Sequence, residues 1–110
     1  LLPKRNRISS ETEIKRVLKT RHYQFKTPLL YFSATEGQNN PRMLVICTKQ
    51  LGNAVIRNRI RRIMSAWLLN NKHNIAKNID MVIKPRSMST NDRYTEQLAS
   101  GLKELGLWQE

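Results

Sequence analysis

Four arginines, Arg57, Arg59, Arg61 and Arg62, fall within six positions of the segment Lys49 to Arg62, which runs Lys-Gln-Leu-Gly-Asn-Ala-Val-Ile-Arg-Asn-Arg-Ile-Arg-Arg. Guanidinium groups at this density suit a phosphate backbone. Each planar fork bonds an anionic oxygen pair through two parallel N–H donors, and its face stacks on bases. The spacing of Ile56, Ile60, Ile63, Met64, Trp67 and Leu68 is that of one buried helical face. On such a helix Asn58, Arg61, Arg62 and Ser65 point away from the apolar stripe, and Arg57 and Arg59 flank it. Arg57 and Arg61, like Asn58 and Arg62, are neighbours one turn apart. No Asp or Glu occurs from Arg42 to Ile79, so these cations have no local carboxylate, and like charges one turn apart are mildly destabilising. An anion outside the helix is the natural compensation; a solvated basic face is the plain alternative.

Other chemistries find little material. The two histidines, His22 and His73, sit in no metal-binding or nucleophile motif and read as surface residues. The eight acidic residues fall mainly at Glu11 and Glu13 and towards the C-terminus, without the paired spacing of a two-metal hydrolase. No residue is therefore assigned as catalytic and none as a metal ligand. Cys47 lies in the apolar run Met43-Leu44-Val45-Ile46-Cys47 and reads as a buried small hydrophobe in a reducing compartment.

The elements that must hold the arginines follow from periodicity and punctuation. Lys4-Arg5-Asn6-Arg7 belongs to a basic N-terminal arm, residues 1–9. Ser10 and Glu13 have the spacing of a capping box ahead of a helix that buries Ile14, Val17 and Leu18 and ends near Thr20. His22 to Phe25 reads as a short strand, Leu29 to Thr35 as a stronger one and Met43 to Thr48 as a third. The polar turn Glu36-Gly37-Gln38-Asn39-Asn40-Pro41 proposes that the second and third strands form an antiparallel pair. Gly52-Asn53 starts the arginine helix, which runs to about Asn70. Asp80 to Lys84 is a further strand ended by Pro85. Tyr94, Leu98, Leu102 and Leu105 form the stripe of a last helix, with Thr90 or Asn91 as N-cap and Gly106 as C-cap. Gly101 inside it is unfavourable by about 1 kcal/mol relative to Ala. The result is one α+β domain spanning residues 1–110.

Composition agrees with a polyanionic partner. Twenty Lys and Arg face eight Asp and Glu, a net charge of +12 and a pI near 10.6. No apolar run is long enough to span a membrane, and Leu1-Leu2 is followed by Pro3-Lys4-Arg5 instead of a signal-peptide core. The missing initiator methionine suggests a trimmed end.

In its order of elements, and above all in Gly52-Asn53-Ala54-Val55-Ile56-Arg57-Asn58-Arg59-Ile60-Arg61-Arg62, the chain resembles the protein subunit of bacterial ribonuclease P. Lys4-Arg5-Asn6-Arg7 ahead of the first helix adds to the likeness. The resemblance implies an α-β-β-β-α-β-α fold like the second domain of ribosomal protein S5, with a left-handed β-α-β crossover that runs against the usual hand. It further implies a cytoplasmic subunit of an endoribonuclease that removes the 5′ leader of precursor tRNA, with catalytic Mg2+ held by the RNA subunit. Arg57, Asn58, Arg59, Arg61 and Arg62 would then contact the catalytic RNA, and Lys4, Arg5 and Arg7 would add phosphate contacts. A cleft formed by Ile14, Leu18, Leu30, Phe32 and Lys49 would guide the unpaired leader. Aromatic groups suit this task because every base has a π face, and stacking contributes about 1–3 kcal/mol per base.

The chain departs from the family where phenylalanines often stand, at Ile14 and Leu18, and at Gln50 and Ser65, positions often lysine and arginine. These changes weaken base stacking and remove charge from the cleft edge and the helix. A ribosomal or other scaffolding RNA-binding protein would share the charge and the fold class without assisting cleavage.

Overall fold

Ile79, Asp80, Met81, Val82 and Ile83 are all buried, so the fourth strand is covered on both faces, and that property organises the sheet. The computed structural model describes residues 2–37, 40–75 and 78–110. Its elements are α1 (Glu11–Thr20), β1 (Tyr23–Lys26), β2 (Leu30–Glu36), β3 (Arg42–Val45), α2 (Ala54–Asn71), β4 (Ile79–Pro85) and α3 (Asn91–Glu104). The strand order is β1-β2-β4-β3. β4 pairs antiparallel with β2 from Leu30↔Pro85 to Glu36↔Ile79, and parallel with β3 from Arg42↔Asp80 to Val45↔Ile83. The chain is thus one α+β domain with a four-stranded mixed sheet and three helices.

The expected antiparallel pairing of the second and third strands is incorrect, because β4 lies between them. A strand buried on both faces belongs in the middle of a sheet. β3 is only four residues long, with alternate residues buried, which fits an edge. Gln38 and Asn39 of the predicted turn lie outside the described residues. α2 connects the parallel neighbours β3 and β4, giving a β-α-β unit.

The sheet separates two apolar layers. On one face Leu30, Phe32 and Ala34 of β2 and Met81 and Ile83 of β4 pack with Ile60, Met64 and Leu68 of α2 and Tyr94, Leu98 and Leu102 of α3. On the other, Val82 packs with Ile8 and with Val17 of α1, and Ile14, Leu18, Leu44 and Ile46 are only half-buried around them. Two faces of unequal coverage result.

Local chemistry sets the helix ends. Asn53 caps α2 by accepting the N–H of Ile56 at 3.0 Å, and Thr90 accepts the N–H of Arg93 at the start of α3. Ser10 occupies the N-cap position of α1, but its side chain makes no capping hydrogen bond, so the expected capping box is not formed. Gly106 follows α3 with φ 73°, the left-handed conformation that glycine adopts without a Cβ penalty. Gly101 has a packing reason: a Cβ there would come within 2.3 Å of the Phe25 ring. The close approach of α3 to β1 outweighs the poor helix propensity of glycine.

The N-terminal arm is part of this packing. Asn6 is fully buried and donates its side-chain amide to the Pro41 carbonyl at 2.8 Å. Arg7 bridges to Met43 in parallel fashion, and Ile8, also fully buried, donates its N–H to the Met43 carbonyl. Asn6 and Ile8 alternate inward while Lys4, Arg5 and Arg7 remain exposed. These two residues anchor the basic arm on β3 and the loop before it.

Candidate nucleic-acid interface

α2 presents its polar residues in a different rotation from the one expected. Asn58, Arg59 and Arg62 are exposed, Arg57 and Arg61 are half-buried, and Ser65 is 7% exposed. The expectation that Arg61 and Ser65 point away from the stripe is corrected. They occupy the flank facing β3 and the arm, because the buried line is centred on Ile60, Met64, Trp67 and Leu68. Arg61 donates to the Asn58 side-chain oxygen at 3.2 Å. None of the five described ion pairs involves an α2 arginine. The exposed guanidiniums of Arg59 and Arg62 are available to an external anion, whereas Arg57 Nε is buried without a hydrogen-bond partner among the described residues.

Cys47 sits under this helix, 8% exposed, and burial pushes its thiol above the usual range while Arg61 and Arg57 oppose that shift. It is the buried hydrophobe expected. His22 and His73 are exposed, as their lack of motif suggested.

The second surface is the half-covered sheet face beside α1. Leu18 and Arg21 from the end of α1, Tyr31 of β2, and Lys84 and Arg86 at the end of β4 line a groove of about 330 Å³. Tyr31 and Lys84 are register partners and share one face. Arg21 donates to the Tyr31 hydroxyl oxygen at 3.2 Å. Half-buried Ile14, Leu44 and Ile46 continue the apolar surface. One aromatic ring, aliphatic walls and three cations, with no carboxylate in the lining, are the components of a single-strand nucleic-acid track.

Ile14 and Leu18 therefore stand on this side, but Leu30 and Phe32 do not. Both are fully buried in the opposite layer, where the Phe32 ring stacks on Phe25 with centroids 4.7 Å apart. Successive strand residues alternate faces, so the leader surface expected at Leu30 and Phe32 belongs instead to Tyr31. Lys49 is exposed in a short 3-10 turn, Lys49–Leu51, beyond β3, and does not line the groove. Sequence reasoning missed Tyr31, Arg21, Lys84 and Arg86. The parity was available: Tyr31, Ser33 and Thr35 form a more polar set than Leu30, Phe32 and Ala34.

An ion cluster fixes α1 over the sheet. The Asp80 carboxylate is fully buried and accepts two hydrogen bonds from Arg42, each 2.8 Å, and a third from Arg16 of α1. Arg42 also meets Glu13 of α1 at 2.8 Å. The Asp80 hydrogen bonds raise the pKa of the Arg42 guanidinium above its ordinary value. Gly37 makes room, since a Cβ there would stand 2.8 Å from an Asp80 oxygen. These residues border a polar cavity of about 430 Å³ with Lys4, Arg5 and Glu36. A hydrogen bond from His22 is the main reason that the Glu36 carboxyl is lowered to about 2.

The third surface joins the arm to α2. Leu2, Arg7, the β3 residues Met43, Leu44 and Val45, and Arg61 and Ser65 of α2 line a notch of about 120 Å³. Arg7 thus shares a surface with Arg61, whereas Lys4 and Arg5 border the polar cavity. Among the described residues no group of three or more His, Cys, Asp or Glu is placed to hold a metal ion, and no helix is long and apolar enough to cross a membrane.

Comparison with known proteins gives consistent results. A model of the ribonuclease P family matches residues 2–106. The ribonuclease P protein component of Clostridium botulinum is 32% identical, with 90% of this chain and 89% of the relative aligned. That of Clostridium novyi is 29% identical over 97% of this chain and 99% of its own length. The solved Staphylococcus aureus RNase P protein superimposes with a TM-score of 0.84 at 22% identity, covering 94% of this chain and 98% of that one. The Thermotoga maritima RNase P protein gives 0.77 at 20% identity, covering 89% and 96%.

Proposed function

The chain belongs to the ribonuclease P family, whose model spans nearly all of it, and on that footing we propose that it is the cytoplasmic protein component that binds the catalytic RNA through α2 and guides the 5′ leader of precursor tRNA along the α1 groove. RNA binding and a role in the tRNA-processing ribonuclease follow from the membership. The observation that carries the finer reading is the presence of two separate carboxylate-free basic surfaces, one a helix face and one a groove with an aromatic floor. One suits a folded RNA; the other suits an unpaired strand.

The carboxylates do not fit a magnesium site, since both Asp80 oxygens are engaged by arginines and Glu13 meets Arg42. In this reading Mg2+ belongs to the RNA subunit, where it supplies charge stabilisation for hydrolysis. The chain's own part is affinity and positioning. Its net charge of +12 offsets repulsion between two RNAs and replaces part of their counterion layer.

Arg59→Ala and Arg62→Ala test the docking face, because both side chains are exposed and neither is in a described ion pair. Each variant is expected to weaken catalytic-RNA binding and to flatten the plot of log affinity against log salt by about one unit. Filter binding over a salt series measures both; an unchanged slope would remove α2 from the interface.

Tyr31→Ala tests the groove. Losing one stacked base is expected to lower affinity for leader-bearing precursor tRNA by roughly 5- to 150-fold, with mature tRNA affected little. Tyr31→Phe should restore most of the loss, since the ring and not the hydroxyl does the stacking. Equal weakening of precursor and mature tRNA by a folded Tyr31→Ala protein would exclude this residue from the leader track.

A further inference from the structure

The notch between the arm and α2 has a composition that neither RNA surface above uses. Its floor is the outer edge of β3, bordered by Arg7 on one side and by Arg61 and Ser65 on the other. The arm's ladder bond to this edge is the Ile8 N–H to the Met43 carbonyl. Further along, Ile46 donates its N–H inward to Ile83 at 2.9 Å, so the alternation of a parallel ladder turns the N–H and C=O of Val45 to the outer side. An apolar floor, an outward donor and acceptor, two guanidiniums and no carboxylate therefore converge on a space of about 120 Å³. An enclosed apolar cavity of about 150 Å³ takes up one benzene, so this smaller, open notch admits the edge of a single ring system and not a folded ligand.

We propose that this notch receives a single unpaired nucleobase of the RNA docked on α2, with Arg7 and Arg61 on the phosphates that flank it. The proposal rests on the RNA-docking reading of α2 and adds a site to it. Every base carries an adjacent donor and acceptor on its Watson–Crick edge, which a backbone N–H and C=O pair complements. The notch therefore selects an unpaired base without selecting its identity. A peptide strand adding to the β3 edge would use the same backbone groups, but it gives the two arginines nothing to neutralise. The excess of positive charge over the whole chain favours the nucleotide.

Amide NMR of the full-length chain tests this with adenosine monophosphate and, as the base-free control, ribose 5-phosphate. The nucleotide is expected to shift the amides of Leu44, Val45 and Ser65 to saturation, and the sugar phosphate to bind about tenfold more weakly without moving Val45. Arg7→Ala, an exposed change, should weaken the nucleotide about tenfold. Ser65→Arg should fill the notch and abolish the Val45 shift; if it fails to fold, the Arg7 variant decides. Equal shifts from both ligands, or nucleotide shifts centred elsewhere, would overturn the proposal. So would a neutral extended peptide that moves Val45 when the nucleotide does not. Binding of wild-type protein to catalytic RNA, measured in parallel, separates the two readings. Loss of that binding sinks the docking role, whereas intact RNA binding with a silent notch sinks only the base site.

Discussion

Ile60→Asp is expected to abolish cooperative folding. Ile60 lies in the middle of α2, fully buried against the sheet and α3. The substitution removes apolar burial and places a carboxylate where no described cation is paired with it, and an unpaired buried charge costs several kcal/mol even after relaxation. A domain of this size has about 5–15 kcal/mol of total stability. Thermal melts followed by circular dichroism should show no transition for Ile60→Asp and a wild-type transition for Arg62→Ala, two residues further along the same helix. A native-like melt for the Ile60 variant would contradict the assigned inner face of α2, and with it the rotation that exposes Arg59 and Arg62.

Phe32→Ala is expected to act through stability alone. The ring is fully buried, packs in the main apolar layer and stacks on Phe25 with planes 12° apart. Truncating a core phenylalanine costs about 3–5 kcal/mol, enough to lower Tm by more than about 10 °C. Precursor and mature tRNA should lose affinity together, in proportion to the unfolded fraction. Below the melting transition, the folded variant should retain the preference for the leader. A folded Phe32→Ala protein with a selective loss of precursor tRNA would place the leader on the opposite face of the sheet and remove Tyr31 from the argument.

The contrast between these two residues marks where the sequence is informative. Helices were legible because their stripes are long and their punctuation is chemical: Asn53, Thr90 and Gly106 act at the ends where their types suggested. The arginine cluster was legible by type and by the absence of local carboxylates, but its rotation was uncertain within one flank. Ser65 is small and polar and reads equally well inside or outside, and the structure puts it inside. Leading into β2, the run Leu29-Leu30-Tyr31-Phe32 is apolar at every position, so the period-two signal that assigns faces is absent for four residues. Ser33 and Thr35 resolve it only when Tyr31 is grouped with them.

Strand order was the least legible feature. A short polar turn is local evidence and favours a hairpin between β2 and β3. The competing evidence is non-local: β4 is buried on both faces, and such a strand belongs between two neighbours in the middle of the sheet. The same kind of long-range dependence hides the Asp80 cluster, which joins Glu13, Arg16, Arg42 and Asp80 across 67 positions of sequence. By holding α1 against β3 and β4, that cluster sets the wall of the groove that Tyr31 floors.

The most direct measurement of the account is leader cleavage by catalytic RNA at low magnesium, with and without the purified chain, on precursor and on leaderless competitor tRNA. The chain is expected to restore cleavage under conditions where the RNA alone is nearly inactive, because its cations replace part of the counterion layer that magnesium otherwise supplies. The gain should fall for Tyr31→Ala through weaker precursor binding, and for Arg62→Ala through weaker assembly with the RNA. Tight binding of the chain to the catalytic RNA with no increase in leader cleavage at any magnesium concentration would contradict the account and leave a scaffolding RNA-binding protein in its place.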